Sequence, residues 1–341
     1  MALDTSFNRV VATTLPLYAP RVTESIVGAI SLLWKMAMMD GVETRPGGTQ
    51  IVEPTILTAN TTVRGYTEFE TLNTALQSDP NAASYLWKII AGTEGLSLLE
   101  QGKNSNSATA PVDLWDAIIN RLALSMRIEV NRQLFLDGTG DGGADLTGLQ
   151  VGLDFAGTFS VYGNIDSNLF TNWRNQTVAS PANSILSGVA ADELAGVQAM
   201  RRLANQCSSQ NEWPTMYITS REVHEVWEKT LITNERYIRE AFDDDMVRSG
   251  FQNYIFKGGV MVFDDLIFPN TLGASAATTG HGFLALNLRY LKFVMMENFD
   301  FVMSDPIRPF NQMADTIQMI MHGNMIMNNR RRQGRINFRT A

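Results

Sequence analysis

The sequence predicts an α+β protein, and three observations support this fold class. A long amphipathic helix is expected from Asp113 to Asp137. Residues 190–270 mix helical and strand-like segments, and the last third of the chain is rich in strand-forming residues. Helices bury apolar residues at a period of 3.6 and strands at a period of 2, so both element types are expected to contribute to the core.

The N-terminal segment predicts an extended arm followed by a helix. Residues 1–20 show little periodicity and contain Pro16 and Pro20. Over about residues 21–39, apolar residues such as Ile26 and Ile30 recur at helical spacing.

A β-hairpin is predicted next. Thr49–Leu57 and Thr61–Phe69 are rich in β-branched residues and flank a turn at Ala59-Asn60. Threonine is abundant on both sides, so the hairpin lacks a clean apolar face. Because a two-stranded ribbon without a buried face is marginal in water, we expect it to rest on a neighbouring subunit.

The long helix follows two further segments, Asn81–Ile90, which is predicted to be helical, and Glu100–Ala110, which is predicted to be a polar loop. Asp113 is a plausible N-cap, and Gly138 can end the helix in a left-handed conformation. At 1.5 Å per residue, the helix would be roughly 35 Å long. Its apolar stripe has i,i+4 spacing and consists of Leu114, Ile118, Leu122 and Met126.

Residues 190–270 predict a second, more compact α/β unit. A helix over Asp192–Gln206 is followed by a strand, Pro214–Thr219. Thr219 and Glu222 have the spacing of a capping box for the next helix, which is expected to run through Leu231. Farther on, Tyr254–Phe256 and Val260–Phe263 predict a short hairpin around a Lys-Gly-Gly turn.

The C-terminal third predicts long strands and ends in a basic tail. Phe283–Met295 is strongly strand-like. Beyond it, one face of a long strand is marked by residues that alternate at period two, namely Ile317, Met319, Met321, Met325 and Met327. The tail contains Arg330, Arg331, Arg332, Arg335 and Arg339. These arginines either contact phosphates or form salt bridges at a subunit contact or a solvated end.

Composition narrows the range of functions. The net charge of −8 argues against a dedicated duplex-binding surface, because affinity for DNA depends mainly on Lys and Arg contacts to phosphate. A single cysteine, Cys207, excludes an internal disulfide framework. No secretory signal is found, and the apolar segment Ile26–Met39 is too short to span a bilayer, so no membrane association is expected. The 17 Met against 3 His favour packing, at adaptable interfaces as well as in cores, over catalysis.

The glycine-rich turn after the long helix allows three interpretations. Gly138, Gly140 and Gly143 match the dinucleotide pattern GxGxxG, but that site needs a strand before the glycines and a helix after them. Here a helix precedes them, and the following GLQVGLDF is predicted to be a strand or loop. Asp137, with two further aspartates in the turn, could ligate Ca²⁺, but the spacing does not match an EF-hand. A plain turn is favoured, and no catalytic, cofactor-binding or metal-binding residue is predicted.

The order of these elements resembles the major capsid protein of tailed bacteriophages, with its Hong Kong 97-type coat fold. Three segments carry the resemblance locally: LFLDGTGDGGADLTGLQ at the exit of the long helix, VYGNID with the WRN that follows it, and SYLWKIIAGTEGL before the helix. The match in order covers nearly the whole chain.

The resemblance implies a division into regions. Residues 1–41 would be an N-terminal arm and helix, and residues 42–110 an extended loop laid over a neighbouring subunit. Residues 111–189 and 283–341 would form a peripheral domain around the spine helix 113–137, and residues 190–282 an axial domain. The interface residues expected in the loop are Ile51, Val63, Arg64, Tyr66 and Phe69.

The function implied is structural: self-assembly as pentamers and hexamers into an icosahedral shell around packaged double-stranded DNA. The protein would lie in the virion capsid after assembly in the host cytoplasm. Its implied partners are other copies of itself, a separate scaffolding protein, a portal, a decoration protein in some shells, and DNA through non-specific contacts. Two alternatives stay open: the shell of an encapsulin-like nanocompartment, and a nucleotide-binding enzyme that uses the turn from Gly138 to Gly143.

Overall fold

In a computed structural model, the described residues are 41–75, 81–103, 114–154, 159–209, 212–234, 254–264 and 281–338, together with Leu32, Met36 and Ile267. The predicted arm lies outside them, as do Asp113, Arg339 and most of the predicted N-terminal helix. Leu32 and Met36 have helical backbone and are fully buried in the larger core.

The described elements are numbered in chain order. The strands are β1 Val42–Arg45, β2 Ile51–Thr55, β3 Asn81–Tyr85, β4 Lys88–Ser97, β5 Val161–Tyr162, β6 Ile165–Asp166, β7 Gln176–Thr177, β8 Met216–Thr219, β9 Tyr254–Phe256, β10 Gly259–Phe263, β11 His281–Leu286, β12 Leu291–Met296, β13 Val302–Met303, β14 Ala314–Met327 and β15 Gly334–Phe338. The α-helices are α1 Leu98–Lys103, α2 Leu114–Leu134, α3 Leu149–Gly152, α4 Ala190–Cys207 and α5 Arg221–Asn234. Short 3-10 helices cover Thr171–Trp173 and Arg330–Arg332. No helix of this described part is long and apolar enough to cross a membrane.

The first sheet is organised by the long strand β14. Its order is β1-β12-β14-β13, and β4 pairs antiparallel with residues 314–323 of β14. The predicted alternation is confirmed, because the five alternating residues from Ile317 to Met327 are all buried. The methionines of this strand therefore fill the core and do not form an adaptable surface.

The predicted long helix is α2, and it packs on β4. Its buried stripe is the predicted one, extended by Val130 and Leu134. Gly92 of β4 permits the close approach, since a Cβ there would lie 2.8 Å from Cδ1 of Leu122. The helix ends at Leu134, three residues before the predicted end, and Gly138 follows with a φ of +76°.

The second sheet has the order β7-β15-β11-β8-β10-β9 and packs against α4 and α5. Its core contains Leu203, Trp227 and Phe283. The expected boundary between residues 282 and 283 falls inside β11, and β15 also belongs to this sheet. The second sheet thus draws strands from both predicted domains, because β11 pairs with β8 on one side and with β15 on the other.

The predicted hairpin was wrong in its second strand. β2 lies within Thr49–Leu57 but pairs antiparallel with β3, residues 81–85, while residues 61–69 contain no strand. The helix predicted over Asn81–Ile90 was also wrong, because this segment forms β3 and the start of β4. Pairing with β2 and β14 outweighs the local helix preference of its Ala and Leu residues.

Four smaller predictions also need correction. Phe283–Met295 is divided between β11 and β12, which belong to different sheets. Part of the predicted polar loop, up to Lys103, is α1, and α3 replaces the strand or loop predicted after the glycine turn. Thr219 does not cap α5, because its hydroxyl donates to the carbonyl of Gly282 at 3.1 Å. The hairpin of β9 and β10 is confirmed.

Candidate assembly interface

Residues 56–75, here called the extended-loop tip, connect β2 to the segment before β3 without forming a strand. Polar side chains give the tip its shape. Oδ1 of Asn60 accepts hydrogen bonds from the backbone N–H and the hydroxyl of Thr62, at 2.8 and 2.7 Å. The hydroxyl of Tyr66 donates to the carbonyl of Thr62 at 2.8 Å and accepts from the N–H of Asn73 at 3.3 Å.

A charged pair holds the middle of the tip. Arg64 forms a salt bridge with Glu70, and Glu70 also accepts a hydrogen bond from the N–H of Thr67 at 3.2 Å. The guanidinium of Arg64 lies 4.8 Å from the centre of the Tyr66 ring. Arg64 and Tyr66, both expected at an interface, are therefore the residues that organise the tip internally.

The tip leaves large apolar side chains in solvent. Val63 is 80% exposed and Phe69 is 95% exposed, and Ile56 and Leu72 are similarly uncovered. Clustered exposed apolar residues on a polar loop are typical of a protein contact surface. Val63 and Phe69 are therefore exposed on the tip, and their contact with another subunit stays a prediction.

Ile51 differs from the other expected interface residues. It is only 2% exposed and packs in the larger core with Ala83 and Tyr85. In β2, the side chains of Ile51, Glu53 and Thr55 are buried and those of the two residues between them are exposed. This is the alternation expected of a β-strand. The expectation that Ile51 contacts another subunit is therefore wrong.

The ribbon of β2 and β3 is fastened at its base. The hydroxyl of Tyr85 donates to the carbonyl of Met327 at 2.9 Å, and the N–H of Ser84 donates to the carbonyl of Gly163 at 3.0 Å. The side-chain amide of Asn172 donates to the carbonyl of Leu57 at 2.9 Å. The first contact fixes the base to β14 of the first sheet, and the other two fix it to the β5–β6 turn and to the 3-10 helix Thr171–Trp173.

A network of charges ties the base of the ribbon to β1 and β12. Arg45 bonds to Glu43 at 2.8 Å and also to Glu53, and Lys292 of β12 bonds to Glu43 at 2.8 Å. The side-chain hydrogen bond from Arg45, followed by that from Lys292, lowers the pKa of Glu43 to about 2.

The turn after α2 is built from backbone geometry that glycine permits. Oδ1 of Asp137 accepts from the N–H and the hydroxyl of Thr139 at 3.0 and 2.8 Å. At Gly138, a Cβ would lie 2.8 Å from the carbonyl oxygen of Leu146, and its φ is already in the left-handed region. Gly140 lies against a carboxylate oxygen of Asp145, and the carbonyl of Gly143 accepts a hydrogen bond from Lys88.

The surroundings of this turn do not suit a nucleotide. The element before the glycines is the C-terminal end of α2, whose partial charge is negative, and a dinucleotide fold places a strand there. The space beside Gly140 is filled by Asp145, a buried carboxyl whose pKa is raised by burial and then by the charge of Asp141. Among the residues described, no group of three or more His, Cys, Asp and Glu is placed to hold a metal ion.

The predicted basic tail is divided between buried and exposed residues. Arg330 is 1% exposed and donates to the carbonyls of Gly152, Val151 and Phe159, at 2.6, 2.9 and 3.2 Å. Arg335, in β15, is also buried and donates to the carbonyl of Leu153 at 3.0 Å. Burial lowers the pKa of both guanidiniums. Neither can contact a phosphate or another subunit, so the expected roles are wrong for these two residues.

The other two described tail residues lie nearer the surface. Arg331 is exposed and donates to Oδ1 of Asn172 at 3.2 Å. Arg332 is half-buried and lies 3.8 Å from a carboxylate oxygen of Glu212.

The structure shows a second exposed apolar surface that the sequence did not predict. Phe310, Met313 and Leu99 are exposed near the end of the β4–β14 pair, where the N–H of Leu98 donates to the carbonyl of Met313 at 3.1 Å. In the sequence these residues lie in short polar segments without periodicity. The pairing of β4 with β14 brings the segment of Leu99 next to that of Met313.

The whole fold was compared with known proteins. No protein-family model and no curated protein matches the chain. Solved structures do match it. The cyanophage A-1(L) capsid protein aligns with a TM-score of 0.63 at 18% identity, over 94% of this chain and 95% of that one. This chain has the Hong Kong 97-type capsid fold.

Two further structures with the capsid fold come from different kinds of particle. The capsid of Myoviridae phage XM1 aligns with a TM-score of 0.61 at 11% identity, over 94% of this chain and 96% of that one. The SrpI encapsulin complex from Synechococcus elongatus aligns with a TM-score of 0.53 at 11% identity, over 99% and 96% of the two chains. The predicted capsid fold is therefore confirmed at identities too low to transfer a function.

Proposed function

We propose that this chain is the major capsid protein of a tailed phage and self-assembles as pentamers and hexamers into an icosahedral shell around double-stranded DNA. The observation that carries the proposal is the match to phage capsid proteins over 94% of the chain. The exposed extended-loop tip supports it, because a lone protein gains nothing from leaving Phe69 and Val63 in water. The fold also favours a structural role over an enzyme.

Each region of the chain would have its own role in assembly. The arm and helix, residues 1–41, and the extended loop, residues 42–110, would contact neighbouring copies. The first sheet with α2 would form the peripheral domain, and the second sheet with α4 and α5 would form the axial domain around the symmetry axes. In this assignment β11 and β15 belong to the axial part, since they pair within the second sheet.

Further partners belong to the same proposal. A separate scaffolding protein and a portal would direct assembly in the host cytoplasm, and a decoration protein could add to the finished virion. Packaged DNA would touch the shell without sequence preference, as the net charge of −8 suits weak contacts. Arg330 and Arg335 are excluded from such contacts by their burial.

Electron microscopy and sedimentation of the expressed protein test the proposal. We expect closed shells, or rings of five and six copies, at micromolar concentration, with a scaffolding protein added if it is needed. A chain that stays monomeric under all these conditions contradicts the proposal.

An encapsulin-like shell is the second candidate, favoured by the match to the SrpI encapsulin over 99% of this chain. The two kinds of shell differ in what they enclose. Particles isolated from the native source and treated with nuclease would retain DNA in a phage capsid. They would retain a protein cargo and no DNA in a nanocompartment.

A further inference from the structure

The surface next to the base of the ribbon carries two exposed arginines that form no salt bridge with a carboxylate in the described part of the chain. Arg174 is exposed and donates to Oδ1 of Asn168 at 3.3 Å, and Arg331 donates to Oδ1 of Asn172 at 3.2 Å. Between the two asparagines, Leu169 is 78% exposed. We call Leu169, Arg174 and Arg331 the basic patch.

Among the described residues, no carboxylate forms a salt bridge with Arg174 or Arg331. The negative charge of Asp154 interacts electrostatically with the buried guanidiniums of Arg330 and Arg335. Within the described part of the chain, the side chains of Arg174 and Arg331 donate hydrogen bonds only to amide oxygens. An amide oxygen orients a guanidinium but does not neutralise it, so these described contacts leave both positive charges uncompensated in a chain whose net charge is −8.

The extended-loop tip presents the complementary chemistry. Glu68 is exposed and has no partner among the described residues, whereas its neighbour Glu70 is paired with Arg64. Phe69, adjacent to Glu68, is 95% exposed. A carboxylate beside an aromatic ring suits a surface that offers two guanidiniums beside a leucine, because guanidinium binds carboxylate and also stacks on aromatic rings.

The patch lies beside the base of the extended loop of its own chain. Asn172, which holds Arg331, also donates to the carbonyl of Leu57, so the patch lies at the root of its own loop. Within one chain, no hydrogen bond or salt bridge joins Glu68 to the patch among the described residues. Two different surfaces on identical chains form a head-to-tail contact, and such contacts close into rings when the rotation per copy permits it.

We infer that the basic patch of one copy receives Glu68 and Phe69 from the extended-loop tip of the next copy. This inference rests on the proposed function and assigns the surface on which the loop docks. Each loop would then cross the root of the neighbouring loop around a ring. The occupant of the basic patch is thus a second copy of this chain. A second acidic and exposed segment, which contains Glu297, Asp300 and Asp305, could bind the patch in place of Glu68, and the experiment tests this alternative.

Charge exchange within one chain provides the experiment. The double variant Arg174→Glu/Arg331→Glu and the single variant Glu68→Lys each place like charges together, and we expect each to raise the concentration needed for assembly on the order of tenfold. Because every copy presents both surfaces, the triple variant that combines these changes should regain assembly. Arg202→Glu, an exposed arginine on α4 without a described carboxylate partner, is the matched control and should assemble as the unmodified chain does.

The outcomes separate the inference from the proposed function. If the unmodified chain forms no shells or rings, the proposed function fails. If it assembles and the double variant also assembles normally, only the docking surface is wrong. If Asp300→Lys/Asp305→Lys rescues the double variant and Glu68→Lys does not, the assignment of Glu68 is overturned. The inference is also overturned if the double variant assembles normally and only loses DNA. Thermal unfolding of each variant confirms that the monomers are folded.

Discussion

Nε of Arg330 donates to the carbonyl of Gly152 at 2.6 Å, which joins the segment after β14 to the end of α3. The same guanidinium also satisfies two neighbouring carbonyls, and it lies 5.5 Å from the centre of the Tyr162 ring. A cation that is 1% exposed is stable there only because these acceptors replace its hydration.

Arg330→Met should therefore destabilise the monomer. The substitution leaves buried carbonyl groups without donors, and we expect the free energy of unfolding to fall by about 3 kcal/mol. Arg331→Met, one residue away and exposed, should change it by no more than about 0.5 kcal/mol. Urea unfolding of both variants measures the difference, and equal losses would show that Arg330 does not support the fold.

The geometry of the turn after α2 predicts different effects of alanine substitution at two glycines that both have positive φ. Gly138→Ala adds backbone strain and a clash, because its Cβ would lie 2.8 Å from the oxygen of Leu146. Gly142→Ala adds only the strain, since no atom lies within 4 Å of its Cβ. We expect a loss of about 1 kcal/mol for Gly142→Ala and a clearly larger loss for Gly138→Ala. Matching denaturation midpoints for the two variants would contradict this account of the turn.

The extended loop contains two residues that the sequence could not tell apart. Phe69→Ser should abolish or weaken assembly while the monomer melts at an unchanged temperature, because the Phe69 side chain is 95% exposed. Ile51→Ala should instead cost the monomer about 3 kcal/mol, as expected for a buried aliphatic side chain. Thermal unfolding combined with sedimentation separates the two effects. A destabilised Phe69→Ser monomer would be inconsistent with an exposed tip.

Acid should weaken the network at the base of the ribbon. The pKa of Glu43 falls from an ordinary value of 4.5 to about 2 in the folded chain. Its contribution to stability is therefore complete above pH 4.5 and is lost as the pH falls towards 2. Because Glu43 is about one-third exposed, the contribution should be only about 1 kcal/mol.

Glu43→Gln tests this pH dependence. The unmodified chain should be more stable than the variant at pH 6, and the difference should shrink as the pH is lowered from 4.5 to 2. A difference that stays constant over this range would show that the ion pairs of Glu43 do not stabilise the fold.

The sequence predicted elements whose periodicity is set by a single buried face. The alternating methionines of β14 and the i,i+4 stripe of α2 are local patterns, and both elements are found where they were expected. The strand partner of β2 could not be predicted, because β3 is separated from it by 25 intervening residues, 56–80, and contains helix-forming Ala and Leu nearby. Non-local pairing decides such segments more strongly than propensity does.

The candidate interface was predictable only in part. An apolar residue in a threonine-rich ribbon can face either the core or the solvent. The register of β2 on β3 places Ile51 in the core, whereas the apolar residues of the tip are exposed. An arginine in a basic run is usually solvated, and only the folded chain brings three carbonyls around Arg330. The patch near Phe310 depends on a strand pair whose partners are more than 200 residues apart.

The central claim is that the chain builds a shell by contacts between copies. Cryo-electron microscopy of the assembled protein tests it most directly, at a resolution that traces residues 56–75. The account predicts closed particles with five-fold and six-fold rings in which the tip of each copy, with Phe69 covered, lies against the next copy. Particles in which Phe69 remains in solvent, or a protein that forms no particles at all, would contradict it.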